Sequence, residues 1–215
     1  MNWIENAKKN IFPLSNEKYN LKKALGEWAY EGNMFDVEIA DEICHLCDHS
    51  NIRYQFEIMN KQNGNLLLIG SECIKKFNIV VVNDEGTKLS SEDAKKKVNK
   101  DRNKLVTEAK EKSVLNTLVK LASVDNEFMI ENFIEYFKER KAFTPKQLSL
   151  LIWRLKKADI AFNKSHFKLT IKKKREKEDL LQLADWRLKD IWDCLSSSQK
   201  KSLWKRKDCL ELHFD

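Results

Sequence analysis

Apolar residues recur with two different periods along the chain, and the balance between them shifts near residue 90. Before it, short helical stripes are mixed with strict alternation; after it, helical spacing dominates. Residues 3–9 read as a short helix stopped by Pro13. Ser15 is placed to cap a helix over about 16–30, with Leu21, Leu25 and Trp28 on one face and Gly32-Asn33 at its end. Phe35, Val37 and Ile39 alternate with Asp36 and Glu38, which predicts a strand. Ile52, Tyr54, Phe56 and Ile58 alternate with Arg53, Gln55, Glu57 and Met59, the signature of a half-buried strand. A turn over 60–64, with Asn-Gly at its end, returns the chain into an apolar strand at 66–69. A turn of helix to Phe77, a strand at 79–82 and a turn at 83–86 complete this part.

Beyond it, Ser90 and Asp93 have the spacing of a capping box, and a long helix over about 91–122 carries Ala94, Val98, Leu105, Ala109, Leu115, Leu118 and Ala122. Asp125 is placed to cap the next helix, with Met129, Phe133, Tyr136 and Phe137 inward. Thr144-Pro145-Lys146-Gln147 puts Thr at the N-cap, Pro at the first helical position and Gln at the third, ahead of a core face of Leu148, Leu151, Ile152 and Leu155. Residues 166–171 read as a short strand or an extended link. One further helix is expected over 176–195, through Leu180, Ala184, Leu188, Ile191 and Leu195. Ser196 and Gln199 then box a last helix with Leu203 and Trp204. There is no internal repeat; the one low-complexity stretch is KKKREKE at 172–178.

Composition sharpens this division. All five glycines lie in the first 86 residues, so the second half suits helix. Residues 1–90 hold 10 Lys/Arg against 13 Asp/Glu, and residues 91–215 hold 30 against 20, so an acidic part precedes a basic one within a net charge of +7. The expected organisation is α+β: a zinc-binding hairpin and sheet module with a flanking helix over 1–90, then a mostly helical basic region over 91–215. No apolar run approaches the ~20 residues of a membrane span, and MNWIENAKKN has no signal-peptide core. Five cysteines, an odd number, make no disulfide framework, and a reducing cytoplasm, that of a bacterial host cell, is the expected setting.

Three of those cysteines carry the most specific chemistry. Cys44 and Cys47 have the C-x-x-C spacing that lets two thiolates bind one metal from a single tight bend, and Cys73 follows 26 residues later after Gly70-Ser71. The hairpin between them brings the two bends together. Zinc takes four tetrahedral sulfur or nitrogen ligands, and a closed set marks a structural ion. The fourth ligand is expected to be His49, since C-x-x-C-x-H leaves room for the ring to turn inward; His45, inside the knuckle, and Asp48 are the alternatives. The H-x-E deaminase and H-E-x-x-H signatures are absent, as are the phosphate-binding glycine loops and the nucleophile elbow, which favours binding over catalysis.

The run of Cys44, Cys47, Ile52-Arg53-Tyr54, Phe56, Ile58, Asn60, then Gly70-Ser71, Cys73-Ile74 and Phe77 resembles a small zinc-finger module found in uncharacterised proteins of phages, prophages and mobile elements. The resemblance covers about residues 20–90, including Glu27-Trp28. It implies structural Zn²⁺; the absent catalytic motifs and the closed site lead to the expectation of no small-molecule substrate. Proteins of this kind and size include anti-defence factors, among them type II-A anti-CRISPR proteins that block Cas9, so the implied partner is a host protein such as a CRISPR effector nuclease.

Nucleic acid is the other expected partner. Lys95, Lys96, Lys97 and Lys100, then Lys172, Lys173, Lys174 and Arg175, then Lys200, Lys201, Lys205 and Arg206 form basic clusters that could neutralise phosphates, with Trp153, Trp186, Trp192 or Trp204 as stacking candidates. Interleaved acids and the ordinary fate of tryptophan as core weigh against that reading. Asp84 with Asp93-Ala94-Lys95 only faintly resembles a nuclease motif, because its second half opens a helix. Asp190 with Asp193, and Cys209 with His213, are spaced to share a cation but lack further ligands, and Cys194 and His166 have no visible partners.

Overall fold

The computed structural model describes residues 2–204. The fold is α+β and divides into two compact units, Met1–Ala109 and Lys110–Asp215, each with its own hydrophobic core. No helix among the described residues is long and apolar enough to cross a membrane.

In the first unit, helix α1 (Trp3–Ile11) buries Ala7 and Ile11 and passes through Pro13 into a single 3₁₀ turn. The stripe expected to make one helix over 16–30 does not do so. Only α2 (Leu21–Gly26) is helical, capped by the Asn20 side chain, which accepts from the Lys23 N–H at 3.1 Å. The Ser15 hydroxyl is instead taken by the Trp28 indole N–H at 2.8 Å, and Trp28 opens the strand β1 (Trp28–Asp36). The helical spacing of Leu21, Leu25 and Trp28 was coincidental with a strand start: all of Trp28, Ala29 and Tyr30 are buried, and aromatic residues favour the pleated surface.

Strands β2 (Tyr54–Asn60) and β3 (Leu66–Ile69) form the hairpin that the alternation implied, turning through Gly64 at φ +77°, a conformation open to glycine without strain. A short helix α3 (Ser71–Lys76) and the strand β4 (Val80–Val81) follow. The sheet order is β3-β2-β1-β4, antiparallel except for the parallel β1–β4 pair. In register, Trp28, Tyr30, Phe56, Ile58, Leu67 and Ile69 share the core face. β1 is irregular between Tyr30 and Met34, around Gly32 at φ +106°. That shift places Phe35 on the outer face. Phe35 and Ile39 are 46% and 68% exposed, so the alternation at 35–39 does not mark a buried strand, and β1 ends at Asp36.

Helix α4 (Ser91–Val124) starts at the Ser90 cap, where the Asp93 N–H reaches the Ser90 hydroxyl at 3.1 Å. Val98 belongs to the first core, and Val114, Leu118 and Leu121 to the second. The second unit adds α5 (Glu131–Arg140), α6 (Pro145–Lys157), α7 (Lys174–Leu181), α8 (Asp185–Ile191) and α9 (Ser197–Trp204). The capping boxes of α6 and α9 form as expected. Asp125 does not cap α5; its carboxylate is held by Arg154, and Ile130 stands at the helix start. Met129 faces solvent rather than the core. The single helix expected over 176–195 is broken after Leu181, and the bend lets Leu180, Leu188 and Ile191 all reach the core from two shorter helices. Residues 167–171 are an extended link that pairs at one point, Leu169 with Phe143.

Candidate metal centre

The loop joining β1 to β2 carries the first cysteine bend. The Asp48 N–H returns to the Cys44 carbonyl at 3.0 Å, Asp48 itself adopts φ +59°, and the Cys44 N–H donates to the His49 carbonyl at 2.9 Å. This closes residues 44–48 into a tight knuckle with Leu46 driven fully into the core. Helix α1 holds the knuckle from behind. Asn6 donates to the Cys47 carbonyl at 3.1 Å, and Asn10 donates to the Leu46 carbonyl at 3.3 Å and to the Asp48 carboxylate at 2.8 Å. The second bend is the start of α3. Gly70 is its N-cap and the Cys73 N–H donates to the Gly70 carbonyl at 3.0 Å. A Cβ on Gly70 would stand 3.2 Å from Ile52 Cδ1, a tight approach that the Ile52 side chain would have to relieve by a few tenths of an ångström.

The sulfurs of Cys44, Cys47 and Cys73 converge. Cys44 Sγ lies 3.6 Å from Cys73 Sγ, and Cys73 Sγ lies 3.2 Å from Cys47 Sγ. A disulfide needs about 2.05 Å, so these are free thiols. Two sulfurs bound to one tetrahedral zinc at about 2.3 Å stand about 3.8 Å apart, and the observed separations are near that edge length. All three residues are buried. The Cys73 thiol alongside pulls Cys44 down to about 5, burial opposes this, and the backbone N–H groups of Gly70, Cys47 and Leu46 add to the lowering. Cys73 is pushed up by its bond to Cys44 and by burial, and Cys47 is raised by burial. Of the three, Cys44 is thus the one held towards the thiolate, the form a metal ligates, with the other two thiols beside it.

Among the described residues the group of candidate ligand atoms within 4.8 Å of one another comprises these three cysteines. His49 is exposed and lines the cleft beside them. His45 is turned to the sheet edge, where its Nδ1 accepts from the Leu68 N–H at 3.3 Å, and Asp48 is engaged by Asn10. The cleft, about 540 Å³, is also lined by Trp3, Arg53, Glu72, Lys76 and Arg102. Arg53, Lys76 and Arg102 are cations lining the same cleft, and Glu72 is an anion there. Arg53 is fixed by a two-pronged pair with Asp36, at 2.7 and 2.9 Å.

The basic residues singled out from the sequence fall into several settings. Lys95 and Lys100 are exposed on α4. Lys96 pairs with Glu92 and Asp93, and Lys97 with Asp84 and Asp101. Lys172, Lys173, Lys174 and Arg175 are exposed around the start of α7, where Lys174 and Arg175 lie 3.8 and 4.0 Å from Glu178 and Asp179. Lys200 lies over the Trp192 ring at 5.1 Å, and Lys201 is exposed. Lys205 and Arg206, with Cys209 and His213, lie outside the described residues. Asp190 and Asp193 are taken separately by Lys156 and Lys164. His166 bonds Ser113 at 2.9 Å, and burial pushes the Cys194 thiol up to about 12.

Sequence reasoning missed the residues that hold the centre in place. Asn6 and Asn10 carry no pattern that distinguishes a clamp from a solvent-facing helix position, and the Asp36–Arg53 pair joins residues 17 apart across a loop. No protein-family model matches the chain, and the searches of curated proteins and of solved structures returned no match.

Proposed function

We propose that the chain is a non-catalytic binding protein whose first unit is clamped by one structural zinc ion. The observation that carries this reading is the convergence of three buried sulfurs, from two bends 26 residues apart, at 3.2 and 3.6 Å. Cys44, Cys47 and Cys73 are the proposed ligands, with His49 turning in from the cleft as the fourth. Bound there, the ion would tie the β1–β2 loop to the start of α3 and so fix one end of the sheet. A closed Cys₃His set leaves no open position for substrate, which is why docking rather than turnover is the proposed role. The occupant in this reading is a host protein that handles nucleic acid, as the mobile-element resemblance implies, and a CRISPR effector nuclease is the specific case.

The test is metal content together with partner capture. Protein purified without added metal should hold about one zinc per chain. A pull-down from bacterial lysate, with and without nuclease treatment, should retain the same partner protein in both. Metal-free protein that melts where the metal-bound protein does would remove the ion from the account, and a partner lost on nuclease treatment would move the binding to nucleic acid.

That second reading, a DNA- or RNA-binding accessory protein, is favoured by one observation of its own. Lys172, Lys173, Lys174 and Arg175 stand exposed together in the second unit. Contact through such residues falls steeply with salt as counterions are released.

A further inference from the structure

The core of the second unit leaves two tryptophans partly outside it. Trp153 on α6 is 36% exposed and Trp186 on α8 is 53% exposed. The interior is filled by other groups, among them a run of rings through Phe137, Phe143 and Phe167. Each exposed indole has a cation against it. The Arg187 guanidinium lies 4.6 Å from the Trp186 ring centre, and the Lys157 amine lies 5.4 Å from that of Trp153. Arg187 also donates to the Ser149 hydroxyl at 3.2 Å. Ser149 is buried on α6, one helical turn before Trp153 and on the same face. A single guanidinium therefore lies over Trp186 and bridges α8 to α6 at a buried hydroxyl one helical turn before Trp153. On α8, Asp190 is paired with Lys156.

We infer that Trp153, Arg187 and Trp186 form a stacking surface for single-stranded nucleic acid. This rests on the nucleic-acid reading of the second unit and is independent of the metal. Every base has an apolar face that an indole can cover, and each stacked base contributes about 1–3 kcal/mol. A cation beside the ring supplies charge for the phosphate that follows the base. A duplex keeps its bases stacked on one another and offers only its phosphates to such a surface.

The experiment is a titration of the full-length, metal-bound protein into fluorescently labelled oligo(dT) of about 12 nucleotides, within the usual site size for such surfaces, read by anisotropy at low salt. A duplex of equal length is the comparator. Single strand should bind more tightly than duplex. Trp153→Ala and Trp186→Ala should each weaken it by about 5- to 150-fold, the factor that corresponds to one lost stack, while Trp186→Phe retains most of the affinity. Circular dichroism melts should match the parent. Binding of single strand that is unchanged in both alanine variants overturns the surface. Equal affinity for single strand and duplex, lost only when residues 172–175 are reversed in charge, overturns it while keeping the nucleic-acid reading. Absence of binding to either overturns both.

Discussion

The Asn60 side-chain amide donates to the Glu27 carboxylate at 2.8 Å inside the first unit, across 33 positions of sequence. Both residues are buried. Glu27 also accepts the backbone N–H groups of Asn16 and Glu17, each at 2.7 Å. Asn60 donates in addition to the Leu14 carbonyl at 3.3 Å. One carboxylate thus ties the extended segment before α2 to the end of β2, and so to the sheet that carries the metal centre. Removing it strands two backbone donors and one amide. Glu27→Ala should cost about 2–4 kcal/mol in chemical denaturation at neutral pH, the range for leaving charge-assisted bonds unmade in an interior. A cost below half a kilocalorie would mean that water replaces the carboxylate there.

The same network predicts an acid limb. Burial by itself would raise the Glu27 carboxyl, but the N–H groups of Glu17 and Asn16 and the Asn60 amide outweigh it and hold the group below the ordinary carboxylate range. A group depressed in the folded state adds stability that is complete above its unfolded value and is lost as pH falls through its folded value. Stability of the parent should therefore decline on acidification through the range below pH 4.5, the reference for this group. In Glu27→Gln that decline should be shallower, starting from a lower plateau. Parallel acid limbs in the two proteins would place the titration elsewhere.

Metal removal gives a larger effect. Structural zinc contributes about 10–16 kcal/mol of apparent binding energy in small fingers, and binding to the folded state alone adds directly to stability. Extraction with a strong chelator should lower the melting temperature by about 10 °C or more, given a shift of several degrees per kilocalorie. Cys47→Ser and Cys73→Ser should reproduce it and give poorly soluble protein, since either leaves the other bend untied. Cobalt(II) substitution should produce the visible absorption of a tetrahedral thiolate site.

Cobalt also discriminates the fourth ligand. His45 Nδ1 already accepts the Leu68 N–H and Asp48 is held by Asn10, whereas His49 faces the cleft that the sulfurs line. His49→Ala should shift the cobalt spectrum and weaken the metal about 10- to 100-fold or more, by analogy with the loss of an outer-shell partner. His45→Ala should leave the spectrum unchanged. An unaltered spectrum in His49→Ala would assign the fourth position to solvent or to a partner's side chain.

What the sequence made legible follows the range of the forces involved. The hairpin from Tyr54 to Ile69 and the boxes at Thr144 and Ser196 are local, set by alternation and by side chains three residues apart, and they formed where the pattern placed them. The convergence of Cys44, Cys47 and Cys73 was readable because ligand spacing encodes geometry. Trp28 was misread because the same apolar spacing fits a helix face and the step from α2 into β1, and the Ser15–Trp28 bond that decides between them spans a loop. Leu180 and Leu188 keep helical period across a break, because two helices facing one core continue the same stripe. The exposed Trp186 carried no mark in the pattern that separated it from a core indole.

The four lysines early in α4 should divide by function. Lys97 Nζ lies 3.6 Å from Asp101, which also accepts the Tyr30 hydroxyl at 2.9 Å. Burial raises the Tyr30 phenol and the bond to Asp101 raises it further, so this ring stays a neutral donor at working pH. Asp101 is then the anion of the group and Lys97 its counter-charge, both mostly covered, at 14% and 20% side-chain exposure. Lys97→Ala should cost about 1 kcal/mol, the scale of a partly buried charge pair. Lys95→Ala and Lys100→Ala, at exposed positions, should stay within about 0.5 kcal/mol. A double-mutant cycle of Lys97→Ala with Asp101→Asn should show coupling, because both changes act on one ion pair. If the two costs simply add, the Lys97–Asp101 pair carries no coupling and Asp84 is left as the partner that matters to Lys97.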